Sequence, residues 1–513
     1  MKRKITFAWG SLAVISLMFL LSCGNGSGKD PFSKINFWED NLNARVEDYF
    51  DNTLGEKFNP VSGNPVVYVD FSDGLIQAYT NNPENSKIIQ AITNKLVNPN
   101  IEWNALGFEK GKITKLDFSS NQLFNKVTDP KSYSGIMAPI QTAIGEITKG
   151  NNDALLVTDF EEYTPDGIEQ FENYPKQYFI NWLSKGNSVT FFYTDYKEKN
   201  NKSKIVTDKH LFFTVFTHGK PNANSLITQI EDAFKGRFTP KRFDLTNNPY
   251  LLTNEYGGKE LTGLGMDLQK QVTSTLNGLN VNKPFEFINI GKFNWEYIDK
   301  TINNPKYKDD VFLAKLFINT SNESSYKLSK IVVKAYDVTD DYLKCNKCNE
   351  AANHKPVVTK DKNGNTVFDE KASDAISKLC YDPKNSQLKP EWIYSYKNEI
   401  TPIDEVFVLN QELFTNNKKD HADKVELQIK MHPNYKVANI KNPNGLIRVD
   451  MVIDDCSFND SNTQLQDFQW NSGTMKDKIN NSLSEAIRNA LQDPQVLPKG
   501  KVIYSFYIKT KNQ

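Results

Sequence analysis

Four short segments of the chain are almost entirely apolar. They are rich in valine, leucine and phenylalanine and cover residues 66–69, 154–157, 189–193 and 211–216. Strands with such unbroken apolar sequence are usually buried on both faces of a sheet. Helical periodicity lies between and after them, at residues 86–97, 135–147, 168–184 and 222–234, and 113–118 is a further candidate strand. This alternation predicts a three-layer α/β domain around a mostly parallel sheet, over residues 61–235.

The second half of the chain alternates apolar and polar residues instead. Residues 425–431 read Val-Glu-Leu-Gln-Ile-Lys-Met, which places the apolar side chains on one face, as in an antiparallel strand against a core. We therefore predict a β-rich α+β domain over 285–513 with one late helix, at 475–491. The other strands expected there are 285–290, 312–319, 330–336, 405–409, 446–453 and 502–508.

The remaining segments are a leading region and a connection. Residues 35–49 have the spacing of an amphipathic helix, which lies in a predicted tether region, 23–60. Residues 236–284 are predicted to connect the two domains, with one helix at 266–276.

The N-terminus has the features of a secretory signal. Lys2, Arg3 and Lys4 precede an apolar run, and the run ends at Leu20-Leu21-Ser22-Cys23. These last four residues resemble a bacterial lipobox, which implies removal of residues 1–22 and attachment of acyl chains, including palmitate, to Cys23. The alternative is an ordinary signal with a chance cysteine. The expected location is the bacterial cell envelope at the outer membrane, facing either the periplasm or the surface.

The overall composition excludes a nucleic-acid partner. Lys+Arg and Asp+Glu are both 62, and only six of the cations are arginine. Proteins that bind phosphate backbones need a basic surface and use arginine for bidentate contacts. Apolar residues make up 38% of the chain, which is enough for a globular core.

Acidic residues follow three of the apolar segments. Asp70, Asp159 and Asp195 stand at or just beyond the predicted strand ends. Groups beyond the carboxyl ends of parallel strands meet in one crevice, where ligands bind. Neighbouring carboxylates repel one another unless a proton or a cation is present, and Mg²⁺ or Ca²⁺ with oxygen ligands would satisfy them.

The segment Val66-Val67-Tyr68-Val69-Asp70-Phe71-Ser72-Asp73-Gly74 resembles the opening of a von Willebrand factor A domain, in which Asp-x-Ser-x-Ser follows the first strand. The resemblance implies metal binding by Asp70, Ser72 and Asp159, with Ser134 in the place of the family's threonine. It also implies that a partner's carboxylate completes the coordination. Gly74 departs from the motif, since a second serine is expected there. The alternatives are a domain that has lost its ion and aspartates that only cap loops or helices.

These residues favour a non-enzymatic binding, adhesion or envelope-assembly module with a protein or glycan ligand. The alternative is a metal-dependent hydrolase of the phosphatase or phosphodiesterase type that uses the same aspartates. In that case Glu161 or Glu162 would act as a general base on a metal-bound water. The other interpretation of these two glutamates is that they are solvated loop acids. No catalytic signature of a nucleophilic enzyme is found.

Four further cysteines lie in the second half of the chain: Cys345, Cys348, Cys380 and Cys456. Cys345 and Cys348, with His354 and Cys380, have the outline of a zinc site. In an exported protein, however, thiols meet an oxidising environment, which favours structural disulfides. Four cysteines allow three complete pairings, and the sequence does not choose among them.

Overall fold

A computed structural model describes much of the chain, in ranges interrupted by gaps. The described residues are 30–54, 63–164, 166, 168–199, 204–219, 225–247, 252–254, 285–289, 311–319, 325–396, 400–403, 407–420, 424–431, 442, 445–472, 475 and 477–509. Cys23, the signal segment and the predicted helix at 266–276 lie outside them. Within these ranges, no helix combines the length and the apolar character needed to cross a membrane.

The helices are α1 (Leu42–Thr53), α2 (Leu75–Asn81), α3 (Pro83–Leu96), α4 (Ser120–Thr128), α5 (Ile140–Lys149), α6 (Lys176–Leu183), α7 (Leu226–Phe234), α8 (Thr339–Asn353), α9 (Ala375–Cys380), α10 (Gln411–Lys419) and α11 (Ser482–Gln492). The strands are β1 (Val66–Asp70), β2 (Glu102–Leu106), β3 (Ile113–Lys115), β4 (Ala154–Thr158), β5 (Ser188–Lys199), β6 (Val206–Thr217), β7 (Lys241–Leu245), β8 (Leu252–Asn254), β9 (Phe285–Asn289), β10 (Val311–Asn319), β11 (Tyr326–Asp337), β12 (Val358–Lys360), β13 (Thr366–Phe368), β14 (Thr401–Pro402), β15 (Phe407–Leu409), β16 (Lys424–Met431), β17 (Leu446–Phe458), β18 (Trp470–Asn471), β19 (Ile479–Asn480) and β20 (Val502–Lys509).

The chain divides into two compact units. One is built from Met1–Leu54 and Thr339–Glu399, and the other from Gly55–Val338 and Ile400–Gln513. The first unit contains α1, α8, α9 and the β12–β13 hairpin, and its small core includes Phe32, Phe37 and Ile376. The leading helix is shifted toward the C-terminus relative to the predicted 35–49.

The second unit contains a mixed seven-stranded sheet in the order β3-β2-β1-β4-β6-β5-β7. Strands β2, β1 and β4 are parallel, whereas the ladders on either side of them are antiparallel. All four predicted buried strands are present, and the α/β class is confirmed. The strand predicted at 211–216 is antiparallel to both neighbours. For its pairing with β5, the reason is that only residues 200–205 separate the two strands, and a parallel crossover needs a dozen residues or more.

Helices cover both faces of this sheet, as the three-layer prediction requires. Apolar side chains of α2, α3, α4 and α7 pack on one face with Val69 and Val157. On the other face, α5 and α6 pack around Leu156 and Phe191. The late helix α11 belongs to this second layer, because Leu483 and Ile487 share its core. Its place is therefore on the α/β sheet, and not only in the β-rich part predicted from sequence.

Two further sheets form the β-rich part. One has five strands in the order β14-β11-β17-β20-β9, and the other has four in the order β15-β16-β10-β8. Most of their ladders are antiparallel, and only β20 and β9 pair in parallel. In β16, Val425, Leu427 and Ile429 are buried while Glu426 and Gln428 are partly exposed. The predicted alternation is therefore confirmed.

Candidate functional site at the strand ends

Two of the predicted site residues, Asp70 and Asp159, leave the sheet at the same edge. Their strands, β1 and β4, are parallel neighbours in which Val69 aligns with Val157. Both aspartates are buried. Thr158 links the two strand ends, since its Oγ1 donates a hydrogen bond to Oδ2 of Asp70 over 2.9 Å. The parallel direction of the strands thus brings together acids that are far apart in the sequence.

Ser72 lies in the loop after β1, where its backbone N–H donates to Oδ1 of Asp70 over 2.8 Å. Both carboxylate oxygens of Asp70 therefore already accept a hydrogen bond from the protein. Burial raises the pKa of Asp70 above its ordinary value, although the bonds from Ser72 and Thr158 act in the opposite direction.

Ser134 lies in a loop that pairs with the loop after β1. The N–H of Gly135 donates to the carbonyl oxygen of Phe71 over 2.8 Å, and the N–H of Asp73 donates to the carbonyl oxygen of Gly135 over 3.0 Å. A Cβ atom on Gly135 would lie 2.2 Å from the carbonyl oxygen of Gly107, so only glycine allows this approach. The Ser134 side chain is exposed. This loop replaces the first turn of the helix predicted at 135–147, which begins at Ile140.

Asp159 accepts two hydrogen bonds, from the backbone N–H of Glu161 over 3.0 Å and from the hydroxyl of Tyr196 over 3.3 Å. Burial raises the pKa of Asp159 well above its ordinary value, and the negative charge of Glu161 raises it further. The strand-end acids therefore form one electrostatic cluster.

The cation of this cluster is Lys209, whose side chain is 3% exposed. Its Nζ lies 2.6 Å from Oε1 of Glu161 and also forms an ion pair with Glu198. Glu161 is buried, and Tyr163 donates to its other oxygen over 2.8 Å. The interpretation of Glu161 as a solvated loop acid is therefore wrong. Burial alone would lower the pKa of Lys209, but the surrounding carboxylates, led by Glu161, raise it above its ordinary value.

Sequence reasoning missed Lys209, although a signal was present. Along β6, Thr207, Lys209 and Leu211 are buried, while Val206 and Asp208 are exposed. This alternation precedes the apolar run and places the lysine on the same inward face as Leu211. A lysine on a buried face requires a carboxylate partner, because burying an unpaired ammonium is very costly.

Glu162 occupies a different position from Glu161. It is partly exposed, and its Oε2 accepts a hydrogen bond from the N–H of Gln141, at the beginning of α5, over 3.1 Å. Burial raises the pKa of Glu162 to about 7, and the charge of Asp70 contributes to the increase. Glu162 is thus a titratable group at the outer margin of the cluster.

Asp195 does not join these residues, which corrects the sequence prediction. Strand β5 continues past it to Lys199, so Asp195 lies within the strand and not at its end. Its side chain is exposed and pairs with Nδ1 of His210 over 2.8 Å and with Nζ of Lys241 over 3.1 Å. The apolar run ends here because this part of the β5–β6 ribbon has an exposed face.

The residues at the strand ends do not provide a complete set of ligands for Mg²⁺ or Ca²⁺. Among the described residues, no group of three His, Cys, Asp or Glu side chains is placed to hold a metal ion. Gly74 offers no hydroxyl where the motif has its second serine. The oxygens of Asp70 and Asp159 already accept protein hydrogen bonds, and Lys209 supplies positive charge beside Asp159. Metal binding by Asp70, Ser72, Ser134 and Asp159 stays a prediction.

The four later cysteines, Cys345, Cys348, Cys380 and Cys456, are buried free thiols in this structure. Cys345 and Cys348 lie on α8, and Cys380 ends α9. Burial raises the pKa of both Cys345 and Cys380 to about 12, so these thiols are protonated at neutral pH. The predicted disulfides stay a prediction.

Comparisons with protein-family models, with curated proteins and with solved structures gave no significant match. The family resemblance therefore depends on the motif residues and on the arrangement of the strands and loops described above.

Proposed function

We propose that this chain is a lipid-anchored protein of the bacterial envelope, held in the outer membrane through Cys23, that binds a protein or glycan partner without catalysing a reaction. We further propose that its α/β part is a divergent von Willebrand factor A-like domain whose strand-end surface contacts the partner. We define the strand-end surface as Ser72, Asp73, Ser134 and Glu162, and the cluster beside it as the buried Asp70, Asp159, Glu161 and Lys209 with the partly exposed Glu198.

One observation carries this proposal: three loops that are distant in sequence meet at one edge of the sheet. They follow β1, precede α5 and follow β4, and main-chain hydrogen bonds join the first two. Such an edge, at the carboxyl ends of parallel strands, is where open α/β sheets bind ligands. The loop that contains Ser134 lies beside the loop that contains Ser72, which supports the family resemblance.

The anchor is tested by fractionation. Wild-type protein should be found in the membrane fraction and carry acyl chains on its N-terminal peptide by mass spectrometry. Cys23→Ala should lose the acylation and leave the membrane. Retention of Cys23→Ala in the membrane without acylation would contradict lipid anchoring.

The binding surface is tested by cross-linking in intact cells. A photoreactive amino acid replaces the exposed Ser134, and the matched control replaces the exposed Lys327, on β11 of the same unit. We expect a discrete adduct from position 134 that Asp73→Arg removes, since Asp73 is exposed and its charge change leaves the core intact. No adduct, or an equal adduct from position 327, would contradict the proposal.

A further inference from the structure

One lysine supplies the positive charge inside the strand-end cluster. Lys209 enters from β6, the strand beside β4, and its ammonium lies between Glu161 and Glu198. The side chains of Glu161 and Lys209 are 6% and 3% exposed, so water does not screen their interaction. Three carboxylates, with Asp159 as the third, surround one ammonium.

The position of Gly74 relates this lysine to the departure from the family motif. A Cβ atom on Gly74 would lie 4.0 Å from both Oδ2 of Asp159 and Oε1 of Glu198. These two carboxylates therefore face the place where the motif has its second hydroxyl. The chain lacks that hydroxyl, and it has an ammonium in contact with one of the two carboxylates. The position without the motif's hydroxyl and the internal cation thus adjoin the same carboxylate, that of Glu198.

The requirement for a cation is physical. Buried carboxylates that share a small space are stable only if a positive charge or a proton compensates them. A divalent ion is one solution, and a buried, paired ammonium is another. Either cation can compensate the negative charge of the same carboxylates. A buried ammonium therefore makes a bound divalent ion unnecessary.

We propose that Lys209 is the resident cation of the strand-end cluster and takes the place of Mg²⁺ or Ca²⁺. As a consequence, partner binding at the strand-end surface is independent of divalent ions. Only this consequence rests on the proposed function, whereas the replacement of the ion by Lys209 does not.

The direct test measures thermal unfolding of the full chain in detergent, with chelator or with millimolar Mg²⁺ or Ca²⁺. The wild-type midpoint should be the same in all three conditions. Lys209→Met should unfold at a lower temperature, and Ca²⁺ should restore part of the loss by binding the acids that the lysine has left. Lys330→Met is the matched control, since Lys330 forms an exposed pair with Asp454 over 2.6 Å and should show neither effect.

Two results would overturn the proposal. One is a wild-type midpoint that rises in Mg²⁺ or Ca²⁺ and loses this response in Asp159→Asn. The other is a folded Lys209→Met that responds to the ions no more than wild type does. If Lys209→Met fails to fold, Lys209→Arg serves as the test. Because this variant keeps the positive charge, it should fold, and its unfolding midpoint should not change with Mg²⁺ or Ca²⁺. A midpoint that rises with either ion would overturn the proposal.

Cross-linking from position 134 in excess chelator separates this inference from the proposed function. An adduct that persists in chelator supports both, and an adduct that disappears overturns the metal independence alone. If no adduct forms under any condition, the proposed binding surface fails, and the unfolding measurements still decide the role of Lys209.

Discussion

Among the described residues of the second unit, Arg448 and Lys209 are buried basic side chains that pair with acids, and their surroundings differ. In the five-stranded sheet, Nε of Arg448 lies 3.0 Å from Oδ2 of Asp450, and Ser505 donates to the other oxygen of Asp450 over 2.7 Å. This ion pair lies near the beginning of β17. At the strand ends of the seven-stranded sheet, three carboxylates face the single ammonium of Lys209.

From this difference we interpret Arg448 and Asp450 as a structural ion pair and the cluster around Lys209 as a candidate site. Arg448 and Asp450 are two residues apart on one strand, so their side chains lie on the same face by the geometry of a strand alone. The guanidinium of Arg448 also lies 4.9 Å from the ring centroid of Tyr336, which is a cation–π contact. These contacts all come from strands of one sheet. The Lys209 cluster instead collects acids from separate elements, at the edge where loops meet, and it contains more acidic than basic side chains.

The largest expected effect is the loss of either base. Lys209→Met and Arg448→Met should each lower the free energy of unfolding by about 3–5 kcal/mol, because a buried carboxylate loses its partner. Adding Asp450→Asn should recover much of the loss in the Arg448 variant. Adding Glu161→Gln should recover less in the Lys209 variant, since Glu198 and Asp159 remain. Urea unfolding measures all four variants, and equal recovery at both places would contradict the distinction.

The next effect concerns the backbone that supports the strand-end surface. Gly135→Ala should lower the free energy of unfolding by about 1–3 kcal/mol, because its Cβ would overlap the carbonyl oxygen of Gly107 and force the two loops apart. Gly150→Ala is the control, since its Cβ would meet its nearest atoms at 3.4 Å. Comparable urea midpoints for the two variants would contradict the close approach.

A smaller effect should depend on pH. The pKa of Glu162 is raised to about 7, so the folded state holds this proton more tightly than the unfolded state does. Its contribution to stability is therefore complete below the ordinary pKa of glutamic acid and is lost as the pH rises toward 7. Glu162→Gln should remove a change on the order of 1 kcal/mol between pH 4.5 and pH 7.5. Unfolding at both pH values measures the change, and an identical pH dependence in wild type and variant would contradict it.

The smallest effect on stability is expected at Gly74. Gly74→Ser should change the free energy of unfolding by less than about 1 kcal/mol, since φ is −54° and the nearest side-chain atoms lie at ordinary contact distance. The serine restores the family's second hydroxyl. We expect no Ca²⁺ response in Gly74→Ser alone and a stronger response in Gly74→Ser with Lys209→Met than in Lys209→Met. A Ca²⁺ response in the single variant would show that the missing hydroxyl, and not the lysine, prevents metal binding.

The sequence predicted individual strands and helices better than it predicted which of these elements pack against one another. The apolar runs located β1 and β4 within a residue, because a strand buried on both faces leaves a pattern that needs no tertiary information. Strand β2 was missed, since Glu-Trp-Asn-Ala-Leu is short and has no clear period. The apolar stripe of α11 predicted a helix with a buried face but did not identify the sheet that covers it.

In the candidate site, too, some features could be predicted from the sequence and others could not. Asp70 and Asp159 were predicted to meet because parallel strands carry their loops to one edge. Asp195 was predicted to lie at a strand end but lies within β5, because a strand can continue beyond its apolar run. The ion pair of Lys209 with Glu161 joins residues whose contact depends on β6 lying beside β4 in an antiparallel direction. Nothing in the sequence near either residue specifies that arrangement.

The loops after β1 and before α5 are joined through their main chains. Main-chain hydrogen bonds connect Gly135 with Phe71 and Asp73, so this connection does not depend on the side chains at 73 and 134. Replacing those side chains would alter what the edge recognises while its scaffold keeps its shape. If the strand-end surface binds a partner as proposed, single substitutions there should change its ligand preference without refolding, much as an antibody framework accepts new loop sequences.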